Sequence, residues 1–316
     1  MNYPLLNRLF NNPTYFRNGF IGLLLFSVIL NSFLLQGDNQ LYILYIFSVI
    51  FLGIGFFNKP VWLLALLTLI VVVCRYFFIP EPESHLGIFL IHLLTYLLIT
   101  LISASLMKYI QKVKEDNLEL TTALANALDS RDAYTMHHSA NVAKYSMQIA
   151  EKMNLSKENC EIIHKGALLH DIGKIGIPEH ILKKNKKLTS EEYEIIKSHP
   201  KIGYEMIEHV GSFHNNGILD IVLYHHERYD GKGYPLGLKG NQIPLYARIV
   251  AVADTFDAMT TKRVYRDKLS LDYTLHEIWK NKGSQFDPEV VDVFLSLFDR
   301  QLIEDNEGFE KRLKSS

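Results

Sequence analysis

The chain has 316 residues, 48% of them hydrophobic, with 33 Lys and Arg against 34 Asp and Glu and a formal net charge of −1. Its mean hydropathy of +0.05 is high for a soluble chain. These values exclude a wholly soluble enzyme, a disordered chain, and a protein whose main task is nonspecific binding of a nucleic-acid polymer, which needs a basic footprint.

The charges are unevenly spread. Residues 1–107 hold only Arg8, Arg17, Lys59, Arg75, Asp38, Glu81 and Glu83, which assigns the first third to lipid and the rest to water. Four apolar runs, at about 20–35, 41–57, 61–79 and 86–109, predict about four transmembrane helices, each near the roughly 17 to 25 residues that cross hydrocarbon. The second run is short, and a count of three or five also fits. Arg8 and Arg17 before the first run, Lys59 in the second connection, and Lys108, Lys112 and Lys114 after the fourth place both termini in the cytoplasm. His92 lies inside a span, either as a functional group or as a hydrogen-bond partner of a neighbouring helix.

Beyond the last span, Ile110, Val113, Asn117, Leu120, Leu124 and Ala127 follow the a/d spacing of a coiled coil. A parallel homodimer, with Asn117 at an a position holding the register, is one product of that pattern. A single amphipathic helix docked on its own domain is the other.

The polar remainder reads as all-α. Thr189-Ser190-Glu191-Glu192 forms a capping box, Pro244 opens a helix over 245–259, Ser270 caps the next, and Asp287-Pro288 starts the last. Cys74 and Cys160 cannot make a disulfide framework, so a reducing compartment is expected for this part. The organisation is therefore a transmembrane region at 1–109, a helical connector at 110–128 and an all-helical domain at 129–316.

Eleven of the 13 histidines lie between His137 and His276. In His170-Asp171-Ile172-Gly173-Lys174, an imidazole and a carboxylate side by side can bind a divalent metal, and the second carboxylate oxygen can reach another. A structural salt bridge fits the same pair. Lys174, four residues past His170, faces the same side if the turn persists, where it could contact phosphate or protonate a leaving oxygen. Gly173 and Gly176 leave room for a ligand to approach. His225-His226 diverge by about 100° on a helix, and so reach one metal only at the rim of a pocket. The turn from Gly231 to Pro235 follows them. Asp254, in an apolar helix, needs a cation or hydrogen bonds to offset its burial.

Taken in order, His138, His170-Asp171, His199, His225-His226 and Asp254 resemble the HD superfamily of metal-dependent phosphohydrolases. The string His225-His226-Glu227-x-x-Asp230-Gly231-x-Gly233-Tyr234-Pro235 resembles its HD-GYP branch of cyclic di-GMP phosphodiesterases. The likeness runs from about Asp129 to Leu297. It implies that His138, His170, Asp171 and Asp254 surround one metal, and that His199, His225 and His226 hold a second, with Asp171 bridging. Iron or manganese suits such imidazole-rich ligation better than magnesium. It further implies catalytic roles for Asp171 and Lys174, substrate contacts from Lys174, Tyr234, Arg263 and Arg266, and a supporting role for Asp257. Tyr134 stands where some members carry the glutamate of a third metal, so two cations are expected. His137 stands where glycine is usual, and either points away or narrows the substrate mouth.

With the apolar runs and the placement of Lys and Arg, the resemblance implies a bacterial inner-membrane enzyme with a cytoplasmic catalytic domain, cleaving cyclic di-GMP to linear pGpG and either stopping there or continuing to GMP. Two other readings are a module that binds the nucleotide or a partner protein without turnover, and a hydrolase of another nucleotide.

Overall fold

The computed structural model describes residues 10, 12–34, 41–79, 86–131, 137–184, 186–214, 216–261 and 269–298. Among them the secondary structure is helical, with one isolated bridge between Lys282 and Phe286 and no strand. The all-α expectation holds. The chain divides into two compact units, Met1–Asn117 and Leu118–Ser316.

The first unit contains α1 (Pro13–Ile29), α2 (Ile43–Gly55), α3 (Val61–Phe78) and the start of α4 (Leu86–Asp129). Asn12 caps α1 by accepting from the Thr14 amide, with Pro13 in its first turn. Among the described residues, three helices are long and apolar enough to cross a membrane: Pro13–Phe33, Val61–Phe78 and Leu86–Asp129. The second apolar run, counted among about four spans and already noted as short, falls below that length. Its helix α2 has only 13 residues, about 20 Å of rise against about 30 Å of hydrocarbon. Tyr45, Val49 and Leu52 of α2 form the middle of this unit's core with Phe20, Val71, Val72 and Tyr96. A Cβ at Gly53 would lie 2.5 Å from the Thr100 carbonyl oxygen, so the glycine lets two backbones meet. Arg75 Nη1 lies 2.6 Å from His92 Nδ1, which gives His92 a partner on the neighbouring helix.

The second unit holds the end of α4, then α5 (His138–Lys152), α6 (Lys157–Leu169), α7 (Glu179–Leu182), α8 (Ser190–Lys197), α9 (His199–Ile207), α10 (Ile218–Tyr224), α11 (Leu245–Thr260), α12 (Leu271–Lys280) and α13 (Pro288–Leu295). The expected caps are present: the Thr189–Glu192 box, Ser270 accepting from the Tyr273 amide, and Asp287 accepting from Glu289 and Val290. The main core joins Val142, Ile149, Ile163, Ala167, Ile221, Val250, Ala253, Ile278, Val291 and Phe294. Packed this way, the apolar faces of α5, α6, α10 and α11 fix the ends of those helices around one point.

Candidate metal centre

Five segments deliver the histidines and carboxylates. His138 is the first residue of α5. His170 caps the C-terminus of α6, whose last four residues, Gly166 to Leu169, are all buried, so His170 and Asp171 are carried inward. A 3-10 turn, Ile172–Gly176, follows. A Cβ on Gly173 would sit 1.9 Å from the His199 carbonyl oxygen and 2.5 Å from the Gly203 amide nitrogen. The expectation that Gly173 and Gly176 clear space for a ligand is corrected here. Gly173 admits the first turn of α9, which brings His199 beside Asp171, and a Cβ on Gly176 would meet the side chain of Ile202. His225 and His226 follow the end of α10. Asp254 and Asp257, three residues apart, share a face of α11.

The side chains converge. Asp171, His199, His225 and His226 each offer one ligand atom, all within 4.8 Å of one another, and His138, His170 and Asp171 form a second such group. Asp171 belongs to both. Asp254 Oδ1 is 3.2 Å from His138 Nε2 and 3.9 Å from His170 Nε2. Lys174 Nζ lies 2.6 Å from Asp171 Oδ2.

Backbone carbonyls settle where the imidazole protons reside, because a carbonyl oxygen only accepts. His170 Nδ1 donates to Ala167 at 2.7 Å, His199 Nδ1 to Ile196 at 2.7 Å, and His225 Nδ1 to Val222 at 3.0 Å. In its neutral form each ring therefore turns a bare Nε2 into the cluster. Two of these lone pairs, on His199 and His225, face each other at 3.3 Å, and His199 Nε2 is 3.1 Å from Asp171 Oδ1. His170 Nε2 and Asp171 Oδ1 are buried without a hydrogen-bond partner. Converging buried acceptors without donors between them repel one another and are costly. Cations resolve that cost, and the donor set of imidazoles and carboxylates fits divalent transition metals.

Electrostatics divide the cluster. Burial and the neighbouring histidines hold His225 well below its usual pKa, and burial pushes His226 down to about 3; both are poised as neutral ligands. Burial also opposes charge on His138, but hydrogen bonds to Asp254 and Asp257 outweigh it and push its pKa up to about 10. His138 is anchored by its Nδ1 donating to Asp257 Oδ2 at 2.7 Å. Asp257 Oδ1 in turn accepts from Asn141 at 2.8 Å and Thr261 at 3.2 Å. Burial disfavours the Asp171 carboxylate, yet Lys174 and His170 hold its pKa well below the usual range.

The segment after His226 is built by Glu227, a residue to which sequence reasoning gave no role of its own. Its buried carboxylate accepts from the amides of Leu236 at 2.7 Å, Gly237 at 3.0 Å and Leu238 at 3.0 Å. A Cβ at Gly233 would lie 2.3 Å from the Arg228 amide nitrogen, so only glycine lets the loop fold back on itself there. Asp230 binds Arg228 through two oxygens at 3.1 and 2.8 Å, which makes it a loop brace. Tyr234 then stacks on His226, ring centroids 4.8 Å apart.

His137 has φ +69° and is exposed. That left-handed backbone favours glycine and turns this side chain to solvent. His164, His180, His209, His214 and His276 join neither ligand group among the described residues. Arg263, Arg266 and Tyr134 lie outside the described residues.

A family model described as HD domain matches residues 122–290. Among curated proteins, the chain is 44% identical over 193 residues to the cyclic di-GMP phosphodiesterase response regulator RpfG of Xanthomonas campestris pv. campestris (strain 8004), covering 60% of this chain and 50% of that protein. It is 45% identical over 188 residues to a cyclic di-GMP phosphodiesterase of Thermotoga maritima, covering 58% and 50%. It is 35% identical over 187 residues to 3'3'-cGAMP-specific phosphodiesterase 2 of Vibrio cholerae serotype O1, covering 59% and 36%. The chain spans half the length or less of these relatives.

Proposed function

The chain belongs to the HD-domain family, and we propose that it is a membrane-anchored cyclic di-GMP phosphodiesterase of the HD-GYP branch, with linear pGpG as the first product on any route to GMP. The observation that carries this reading is the cluster of buried acceptors, in which the Nε2 atoms of His170, His199 and His225 converge with Asp171 Oδ1, and His170 Nε2 and Asp171 Oδ1 have no hydrogen-bond partner. His138, His170, Asp171 and Asp254 would hold one cation, and His199, His225 and His226 with Asp171 the other. Two such iron or manganese ions would supply Lewis acidity toward a phosphoryl oxygen and a lowered pKa for an attacking water.

The chain's own residues do the rest. Lys174, set by its ion pair with Asp171, stabilises charge building on the phosphoryl oxygens and can give a proton to the leaving ribose oxygen. Asp257 keeps the His138 proton on Nδ1 and so aims Nε2 inward. Tyr234, held against His226, would contact the substrate, and Arg263 and Arg266 would grip phosphate.

The apolar helices of residues 1–109 support anchoring in a bacterial inner membrane, and the placement of Lys and Arg supports a cytoplasmic domain at 129–316. The connector at 110–128 carries two stripes. Leu118, Ala125 and Leu128 belong to the domain side, where Ala125 and Leu118 join its core. Leu120 and Leu124, on the a/d stripe, are 65% and 57% exposed. An exposed leucine seam at this spacing fits a second copy of the chain.

The test is turnover of cyclic di-GMP by the full-length protein in detergent with manganese or iron, beside a variant carrying both His170→Ala and Asp171→Ala. Product formation that vanishes in the variant supports the enzyme. Tight binding without product indicates a binding module. The relative named for 3'3'-cGAMP puts that dinucleotide on the same panel, and cleavage of it alone would replace the substrate.

A further inference from the structure

Lys197 ends α8 one aromatic layer outside the metal cluster. Its ammonium lies 5.5 Å from the ring centre of Tyr234 and 5.6 Å from that of Tyr193. Tyr234 in turn stacks on His226. Nζ also lies 2.8 Å from Glu194 Oε1, and the Lys197 side chain is 27% exposed against 68% for Glu194. A lysine held between two rings loses much of its freedom before any ligand arrives. Its present partner is an exposed carboxylate three residues away, and such a pair is worth at most about 1 kcal/mol. The ammonium is thus preorganised but cheaply exchanged.

A cyclic dinucleotide carries two phosphodiesters. When one sits against the metal ligands and Lys174, the intervening riboses hold the other away from that cluster. We infer that Lys197 is a substrate-binding residue that leaves Glu194 to grip the second, uncleaved phosphate. This rests on the cyclic dinucleotide reading above. It adds a contact that discriminates a substrate with two phosphates from one with a single phosphate. Lys184 is committed to Glu192 through both carboxylate oxygens.

The full-length protein in detergent with manganese would be assayed on cyclic di-GMP and on bis(p-nitrophenyl) phosphate, which has one phosphodiester. Lys197→Gln is expected to raise KM for cyclic di-GMP about ten-fold or more, the loss of one charge-assisted contact, with kcat little changed. For the single-phosphate substrate the shift should be several times smaller, and Lys197→Arg should recover most of the lost affinity. Equal losses on both substrates, or an unmoved KM, would overturn the assignment. If the wild type cleaves bis(p-nitrophenyl) phosphate but no cyclic dinucleotide, the substrate reading fails first and Lys197 loses its role with it.

Discussion

Glu227→Gln isolates the anchor of the loop that carries Tyr234. Glu227 is 4% exposed, and its two oxygens accept from three consecutive amides, Leu236, Gly237 and Leu238. Glutamine preserves the volume and keeps one acceptor oxygen. Placed where Oε1 is now, that oxygen retains two hydrogen bonds, but as neutral rather than charge-assisted ones. The amide nitrogen then meets the Leu238 N–H, donor against donor. One buried donor without an acceptor costs about 1–3 kcal/mol, and weakening the other two bonds adds about 1 kcal/mol, for a total of about 2–4 kcal/mol. Hydrogen exchange followed by mass spectrometry should show at least about thirty-fold faster exchange at residues 236–238. KM for cyclic di-GMP should rise as the Tyr234 ring loses its seat on His226. Unchanged exchange together with an unchanged KM would refute the anchor.

Three other outcomes follow from the same geometry. His137→Gly should stabilise the protein by up to about 1 kcal/mol, because the residue is exposed with φ +69°; a lower melting temperature would show that the imidazole makes a contact that matters. Leu120→Ser with Leu124→Ser should shift the detergent-solubilised protein from dimer toward monomer in light scattering and leave the fold intact, whereas an unmoved mass would remove the connector from the interface. In metal-free protein, stability should peak near neutral pH. His226, held at about 3, and His225, held low, refuse protons that the unfolded chain takes up below its imidazole pKa of 6.5, so stability falls on the acid side. His138, raised to about 10, contributes stability that is present below 6.5 and lost as pH climbs toward about 10. A urea midpoint that changes in one direction only from about pH 5 to about 9 would contradict this.

Features that depend on neighbours in sequence were legible. The Thr189 box, the Ser270 cap and the Asp287-Pro288 start are local hydrogen-bond patterns, and all three appear in the fold. The histidines and aspartates stood out because their residue types carry the chemistry. Glu227 did not, because its partners are backbone amides nine to eleven residues on, which leave no side-chain signature. Gly173 was legible as a glycine but not for its reason, since the backbone it admits belongs to α9. The run at 41–57 counted as a span by composition, but composition does not say where a helix ends, and α2 stops at Gly55. In the connector both apolar stripes are present in the sequence, and only packing shows that Leu118 and Ala125 are the pair turned to the core.

The most direct measurement is the metal content of the purified full-length protein after reconstitution with manganese or iron, compared with Asp171→Ala. Asp171 is the one group shared by both sets of ligands, so the account predicts about two cations per chain in the wild type and a sharp loss of both in the variant. Two cations retained by the variant, or none bound by the wild type, would contradict it.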